Sequence, residues 1–186
     1  MFSRNHFGLL VMSFLMMVAI SVLAPETEEI QVPTYETHGL EYKLWNECKK
    51  IGFDSLISDD LSKTDLKLEQ VNDLFETRLR AARLWSGSDA GFREDFLFVR
   101  IQGFVIDDSE SVLDGMTIYT VGISYERWID DLNFGVAGFA ELRHSSKKMG
   151  YASKRANAKS AILEILSEGA DKFVLEYLRV NEKACD

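Results

Sequence analysis

Histidine, cysteine and clustered carboxylates are the side chains that most often carry chemistry, and this chain is frugal with the first two. It has three histidines, His6, His38 and His144, and two cysteines, Cys48 and Cys185, in 186 residues. No HExxH, GxSxG or glycine-rich phosphate loop occurs, so metalloprotease, hydrolase and nucleotide-binding chemistries have no local signature. His38 falls in a polar stretch and His144 at the end of an apolar one. A Ser-His-Asp triad on His144 has no local support, and a histidine at the end of a strand reads as a surface residue. The loop "DDSESVLDG" gathers Asp107, Asp108, Glu110 and Asp114, oxygen donors of the kind calcium prefers. Its spacing departs from the twelve-residue calcium loop: Val112 stands where the glycine belongs and Ile118 where the bidentate glutamate belongs. It reads as a solvated acidic turn. The pair Asp130–Asp131 lacks the cleft that glycosidase chemistry needs. No catalytic residue, metal site or cofactor is expected.

The two cysteines gain meaning from the amino terminus. Arg4 and the α-amino group precede "FGLLVMSFLMMVAISVLA", Phe7 to Ala24, which has no charge, and "PETEE" follows. A basic start, an apolar stretch and an acidic exit describe a secretory leader, with the remaining chain delivered out of the cytoplasm. The small pair Ala19 and Ser21 favours cleavage after Ser21, since Pro25 disfavours a cut after Ala24. Uncleaved, residues 7–24 are barely long enough for a membrane anchor. The expected location is therefore periplasmic or extracellular, with the membrane reached only through this segment. No cysteine closely follows the apolar stretch, which speaks against a lipid-anchored lipoprotein. Cleavage removes only Arg4 among charged groups, leaving 20 Lys+Arg against 30 Asp+Glu, or −10.

In an oxidising compartment, two cysteines most simply form one disulfide. A Cys48–Cys185 bridge would close a loop of about 137 residues and constrain the unfolded chain by roughly 4–5 kcal/mol. The alternative is two unrelated thiols, one buried and one free. The CxxC spacing of redox catalysts is absent.

The acidic balance, 21 basic against 30 acidic residues, argues against a nucleic-acid partner. A local basic cluster, Lys147, Lys148, Lys154, Arg155 and Lys159, reads as the solvated start of a helix, or else as contact with an anionic partner or headgroup. With 46% apolar residues the chain can bury a sizeable core.

The elements follow from periodicity. Residues 1–24 are the signal or anchor, 25–38 an extended linker holding both prolines, and 39–186 a single domain. Leu40, Leu44, Cys48 and Ile51 predict a first helix over about 40–51 with Cys48 on its apolar face and Gly52 as its cap. The stretch "DSLISDDLSKTDLK" predicts a polar connector. Leu68, Val71, Phe75, Leu79, Ala82 and Trp85 predict a helix over about 67–86, with Glu76 and Arg80 paired one turn apart. The period then drops to two. "DFLFVRIQGFVID" predicts a strand over 96–106, followed by antiparallel strands in "MTIYTVGISYERWID" and "FGVAGFAELRH". A last helix is predicted from Ser153 to about Asn181, with Gly169 marking a kink or a close crossing. The expected fold is α+β in two layers: a short, antiparallel, three-stranded sheet with helices on one face, in the order α-α-β-β-β-α.

Such a sheet has one face to spare. Leu97, Val99, Ile101, Gly103 and Val105 suit the helix side. Phe96, Phe98, Arg100, Gln102 and Phe104 fall on the other, and aromatics mixed with arginine are the composition of interface cores. The expected function is thus an exported, non-catalytic accessory domain that binds a protein partner or another copy of itself through this face or the sheet's edge strands. Two alternatives remain: a carrier or sensor of a small apolar ligand, and an enzyme with an unfamiliar site near His144.

Overall fold

The computed structural model describes residues 32–87, 95–131 and 136–185. The leader, residues 25–31 of the linker and the turn after residue 131 lie outside them. From Val32 to Asp186 the chain forms one compact unit. Its elements are α1 (Tyr35–His38), a 3-10 turn (Gly39–Leu44), β1 (Gly52–Ile57), a second 3-10 turn (Asp59–Thr64), α2 (Leu68–Ala81), β2 (Asp95–Val105), β3 (Thr117–Asp131), β4 (Val136–Ala152) and α3 (Arg155–Cys185).

The α+β class holds, but among the described residues the sheet has four strands in the order β1-β2-β3-β4 and is mixed. β2, β3 and β4 are antiparallel neighbours, as the hairpin pattern predicts, whereas β1 runs parallel to β2. A parallel pair needs a crossover, and α2 supplies it. β1 replaces the start of the expected polar connector. Its alternation is real but short: Phe53, Ser55 and Ile57 are partly buried while Asp54 and Leu56 are exposed. Polar residues at an edge strand hide that signal.

The expected helix over 40–51 does not form. After the 3-10 turn the chain bends through Glu47 and Cys48, whose φ angles are +63° and +57°. Tertiary hydrogen bonds overrule the helical spacing. The Asn181 side chain of α3 accepts from the backbone N–H of Asn46 (3.0 Å) and Cys48 (3.2 Å). It also donates to the carbonyls of Leu44 (3.0 Å) and Tyr177 (2.9 Å). Asn46 and the Tyr177 hydroxyl each donate to the Lys49 carbonyl (3.2 and 2.8 Å). The backbone groups a helix would pair internally are thus spoken for by α3. Cys48 is joined to Cys185, with a Cα–Cα distance of 5.1 Å. Cys185 is the last residue of α3, not a residue beyond it.

β4 also exceeds its expected length, running to Ala152. Lys147 and Lys148 are therefore strand residues and not the start of a helix. Lys148 pairs with Glu168 of α3 at 2.5 Å on the helix side. Gly169 is buried within a helix that continues unbroken for 31 residues.

Both long helices cover one face of the sheet. Leu97, Val99 and Ile101 of β2 and Val121, Ile123 and Tyr125 of β3 are buried against Val71, Phe75 and Leu79 of α2 and Ile162, Leu166, Phe173 and Tyr177 of α3. Each such side chain contributes about 1.5–3 kcal/mol by leaving water. Phe53 stacks on Phe75 with ring centroids 4.9 Å apart, fixing β1 over α2. Arg78 bonds Asp171 (2.7 Å) and Ser167 (2.5 Å), locking α2 to α3, and the Glu76–Arg80 pair forms at 2.6 Å. Gly103 lets β2 and β3 approach: a β-carbon there would lie 2.5 Å from the Ile118 carbonyl oxygen.

Asn181→Ala would strand a buried N–H group, a partly buried one and a carbonyl at the 44–48 turn. It should lower stability by about 3 kcal/mol with the disulfide intact, or roughly 6–12 °C in Tm for a chain of this size. Thermal unfolding of the oxidised protein followed by circular dichroism measures it.

Candidate functional site

The face of the sheet away from the helices is built in rows, because residues opposite each other in a ladder point the same way. One row runs Phe96–Glu126–Glu141 across β2, β3 and β4. The next carries Asp54, Phe98 and Ser124, and a third runs Leu56–Arg100–Gly122–Lys147. Beyond it come Gln102–Thr120–Met149 and Phe104–Ile118–Tyr151. Bulges between Ile123 and Ser124 and between Tyr125 and Glu126 keep these rows aligned while adding residues to β4.

All five residues assigned to this surface from the sequence lie in β2 on this face. Phe96 and Phe98 are half-buried, Arg100 and Gln102 exposed, and Phe104 is 48% exposed. β1 and β4 add Leu56 (52%), Met149 (79%) and Tyr151 (72%), so large apolar side chains stand in water at several points. The Arg100 guanidinium lies 5.2 Å from the centroid of the Phe98 ring, a cation–π pair.

The centre of the face is a depression of about 120 Å³ bordered by Arg100, Thr120, Ser124, Glu126, Glu141 and Lys147. Gly122 forms its floor. A β-carbon on Gly122 would meet nothing closer than the Arg100 carbonyl oxygen, at 3.8 Å. Packing within the protein therefore does not demand this glycine, and its effect is to leave a gap between two cations. Ser124 donates to Glu126 at 2.9 Å, holding that carboxylate over the strand. Sequence reasoning had Lys147 only as a member of a basic cluster and missed Gly122, Ser124 and Glu126. The alternation Thr120, Gly122, Ser124, Glu126 along β3 was the signal that could have found them.

A second, shallower depression of about 370 Å³ lies on the flank, where Val32, Pro33, Tyr42 and Trp45 meet Arg127 and Leu142. Beneath it Arg127 grips Asp95 with Nε (2.6 Å) and Nη2 (2.8 Å), and Nη2 also reaches the Trp45 carbonyl (3.1 Å). The Tyr125 hydroxyl donates to the same carboxylate. Burial alone would raise the Asp95 carboxyl, but the hydrogen bonds and charge of Arg127, with Tyr125 and Asn46, outweigh it and hold it below its ordinary value. Burial pushes the Tyr125 and Tyr177 phenols up, so both stay protonated. This cluster fastens the amino-terminal segment to the sheet and offers no group poised to exchange a proton near neutrality.

The acidic loop is likewise turned to structural use. Asp107 pairs with Arg155 (2.5 Å) and Lys63 (3.4 Å). Asp108 and Asp114 accept backbone N–H groups inside the loop, each at 3.1 Å. His144 is placed only by its backbone, opposite Ser124 in the β3–β4 ladder, and His38 ends α1.

No protein-family model matches the chain, and no curated protein matches it. Among solved structures it is similar to a crystal structure described as a "putative lipoprotein" from Caulobacter crescentus CB15. That match has 13% identity and a TM-score of 0.31, and spans 78% of this chain and 97% of the other. A likeness this slight carries no inference.

Asp95 titrates with a lowered value, so its contribution is present above the unfolded value of about 3.9. It is lost as the pH falls through the folded value. Asp95→Asn should cost about 2 kcal/mol at pH 7, the half-exposed Arg127 screening any larger figure. The gap from the parent should begin to narrow below about pH 4 and close only as the pH falls through the lower folded value, which a series of urea unfolding curves from pH 7 down to about pH 2 would measure.

Proposed function

We propose that this chain is an exported, non-catalytic domain that binds a protein partner through the open face of its sheet. The observation that carries the reading is that face itself. It presents aromatic rings, an arginine over one of them, and exposed Leu56, Met149 and Tyr151, while both long helices lie on the opposite side. Interface cores are made of such residues, with flanking charges that select the partner.

Export is supported by the apolar leader and by the Cys48–Cys185 bridge, which persists in an oxidising compartment. A second reading, a carrier of a small apolar ligand, draws on the flank depression. Its wall holds Pro33, Tyr42 and Trp45, and its size falls at the lower end of small-molecule sites.

Replacing Phe96 and Phe98 together by Ser should abolish capture of cross-linked partners by the natively exported protein, with the circular dichroism spectrum unchanged. Unaltered capture, or loss of the fold, counts against the open-face reading. For the carrier reading, native mass spectrometry of the exported protein should find an added mass that vanishes in Trp45→Ala. Bare protein throughout would dismiss it. Thiol labelling of the same material should mark no cysteine before reduction, and two afterwards.

A further inference from the structure

The rows of the open face are self-complementary, and we infer that the partner seated on it is a second copy of this chain. This rests on the open-face reading above and deepens it. Consider a two-fold axis lying across the strands at the Phe98–Ser124 row. Rotation about it lays β2 on β2, β3 on β3 and β4 on β4 of the second copy, strands antiparallel, with the two sheets about 10 Å apart.

Rows equidistant from the axis then face each other. The Phe96–Glu126–Glu141 row of one copy meets the Leu56–Arg100–Gly122–Lys147 row of the other. The pairings are chemically specific. Phe96 meets Arg100, an aromatic ring against a guanidinium. Glu141 meets Lys147. Glu126 meets Gly122, so its carboxylate enters the gap that the glycine leaves, between Arg100 and Lys147. That gap is empty of side chain without any packing need for it in the single chain. Leu56, 52% exposed, meets the position of Gly52 at the other end of β1. On the axis the two Phe98 rings face each other. The two rows lie four residues apart along β3, about 13 Å. One sheet therefore carries its acid and its receptor for that acid as separate patches, and each docking makes the set of contacts twice.

The face also answers a problem of charge. The chain carries −9, which keeps copies apart in general. On this face Arg100 and Lys147 stand against Asp54, Glu126 and Glu141, so the repulsion is locally almost cancelled. Asp54 is the exception. It lies on the axial row at the rim of the sheet, and the two copies bring their Asp54 carboxylates together there.

Sedimentation of the oxidised, exported protein tests this. The parent should show a concentration-dependent dimer that loosens with salt. Arg100→Glu/Lys147→Glu and Glu126→Lys/Glu141→Lys should each weaken self-association by about tenfold or more. A mixture of the two should restore pairing, because the all-acidic face of one fits the all-basic face of the other. Asp54→Asn should tighten the parent dimer a few-fold. Should the charge variants lose their fold, Gly122→Val reads the same contact, since in the single chain its β-carbon meets nothing closer than 3.8 Å and in the docked pair it takes the place of the Glu126 carboxylate. A parent that stays monomeric to about 1 mM, a mixture that fails to pair, or a Gly122→Val dimer as tight as the parent would overturn the inference. If the parent is monomeric and capture of a different protein still requires Phe96 and Phe98, the open-face reading stands and this inference alone falls.

Discussion

One asparagine side chain and one disulfide, both near the end of α3, decide how this protein is assembled. Past the end of the 3-10 turn at Leu44, the chain to Lys49 has no regular structure of its own, yet part of it is buried, and buried backbone groups must find partners. Asn181 supplies four hydrogen bonds, the full ordinary capacity of a carboxamide, three of them to that segment. This satisfaction sustains two successive residues in the left-handed region, Glu47 and Cys48, at a cost of about 1–2 kcal/mol each. The disulfide then makes the arrangement hard to leave. A helix at 40–51 would have to forgo all of it.

From that clamp the remaining geometry follows in order. The turn ends at Ile51, which bridges to Trp85 and starts β1 beside β2. Trp45 is brought over Arg127, so the Asp95–Arg127 pair closes the near end of β2 and β3. The amino-terminal segment is thereby spent on the flank and on α3.

The readable parts of the sequence are those where one force acts alone. α2 has a clean apolar stripe, and β2 a clean alternation, so the side of each that faces the core was legible, as were the hairpins. The Cys48–Cys185 bridge was legible too, because the compartment expected from the leader and the cysteine number left few options. What misled was competition. Leu40, Leu44, Cys48 and Ile51 do recur at helical spacing, but the hydrogen bonds that prevail come from a residue more than a hundred positions away. β1 was hidden because Asp54 and Ser55 interrupt a six-residue strand whose stability comes from β2 and Phe75. In β4, the Ser and Lys residues of "HSSKKMGYA" mask an alternation that separates Lys148 and Ala152 from Lys147, Met149 and Tyr151.

The candidate surface illustrates the same limit more sharply. Its β2 members were visible because one strand's alternation is a property of consecutive residues. The features that give the surface its shape are relations between strands. Gly122 matters because Arg100 stands on one side and Lys147 on the other, a juxtaposition set by two registers and two bulges. A glycine inside a strand is usually explained by backbone freedom or a close approach. Gly122 lacks a positive φ, and a β-carbon there would meet no close neighbour, so neither explanation applies. By contrast, Gly103 in the adjacent strand is required by the backbone of β3. Two glycines in one sheet therefore have opposite origins: one is demanded by the fold, and the other leaves a hollow that the fold itself has no use for.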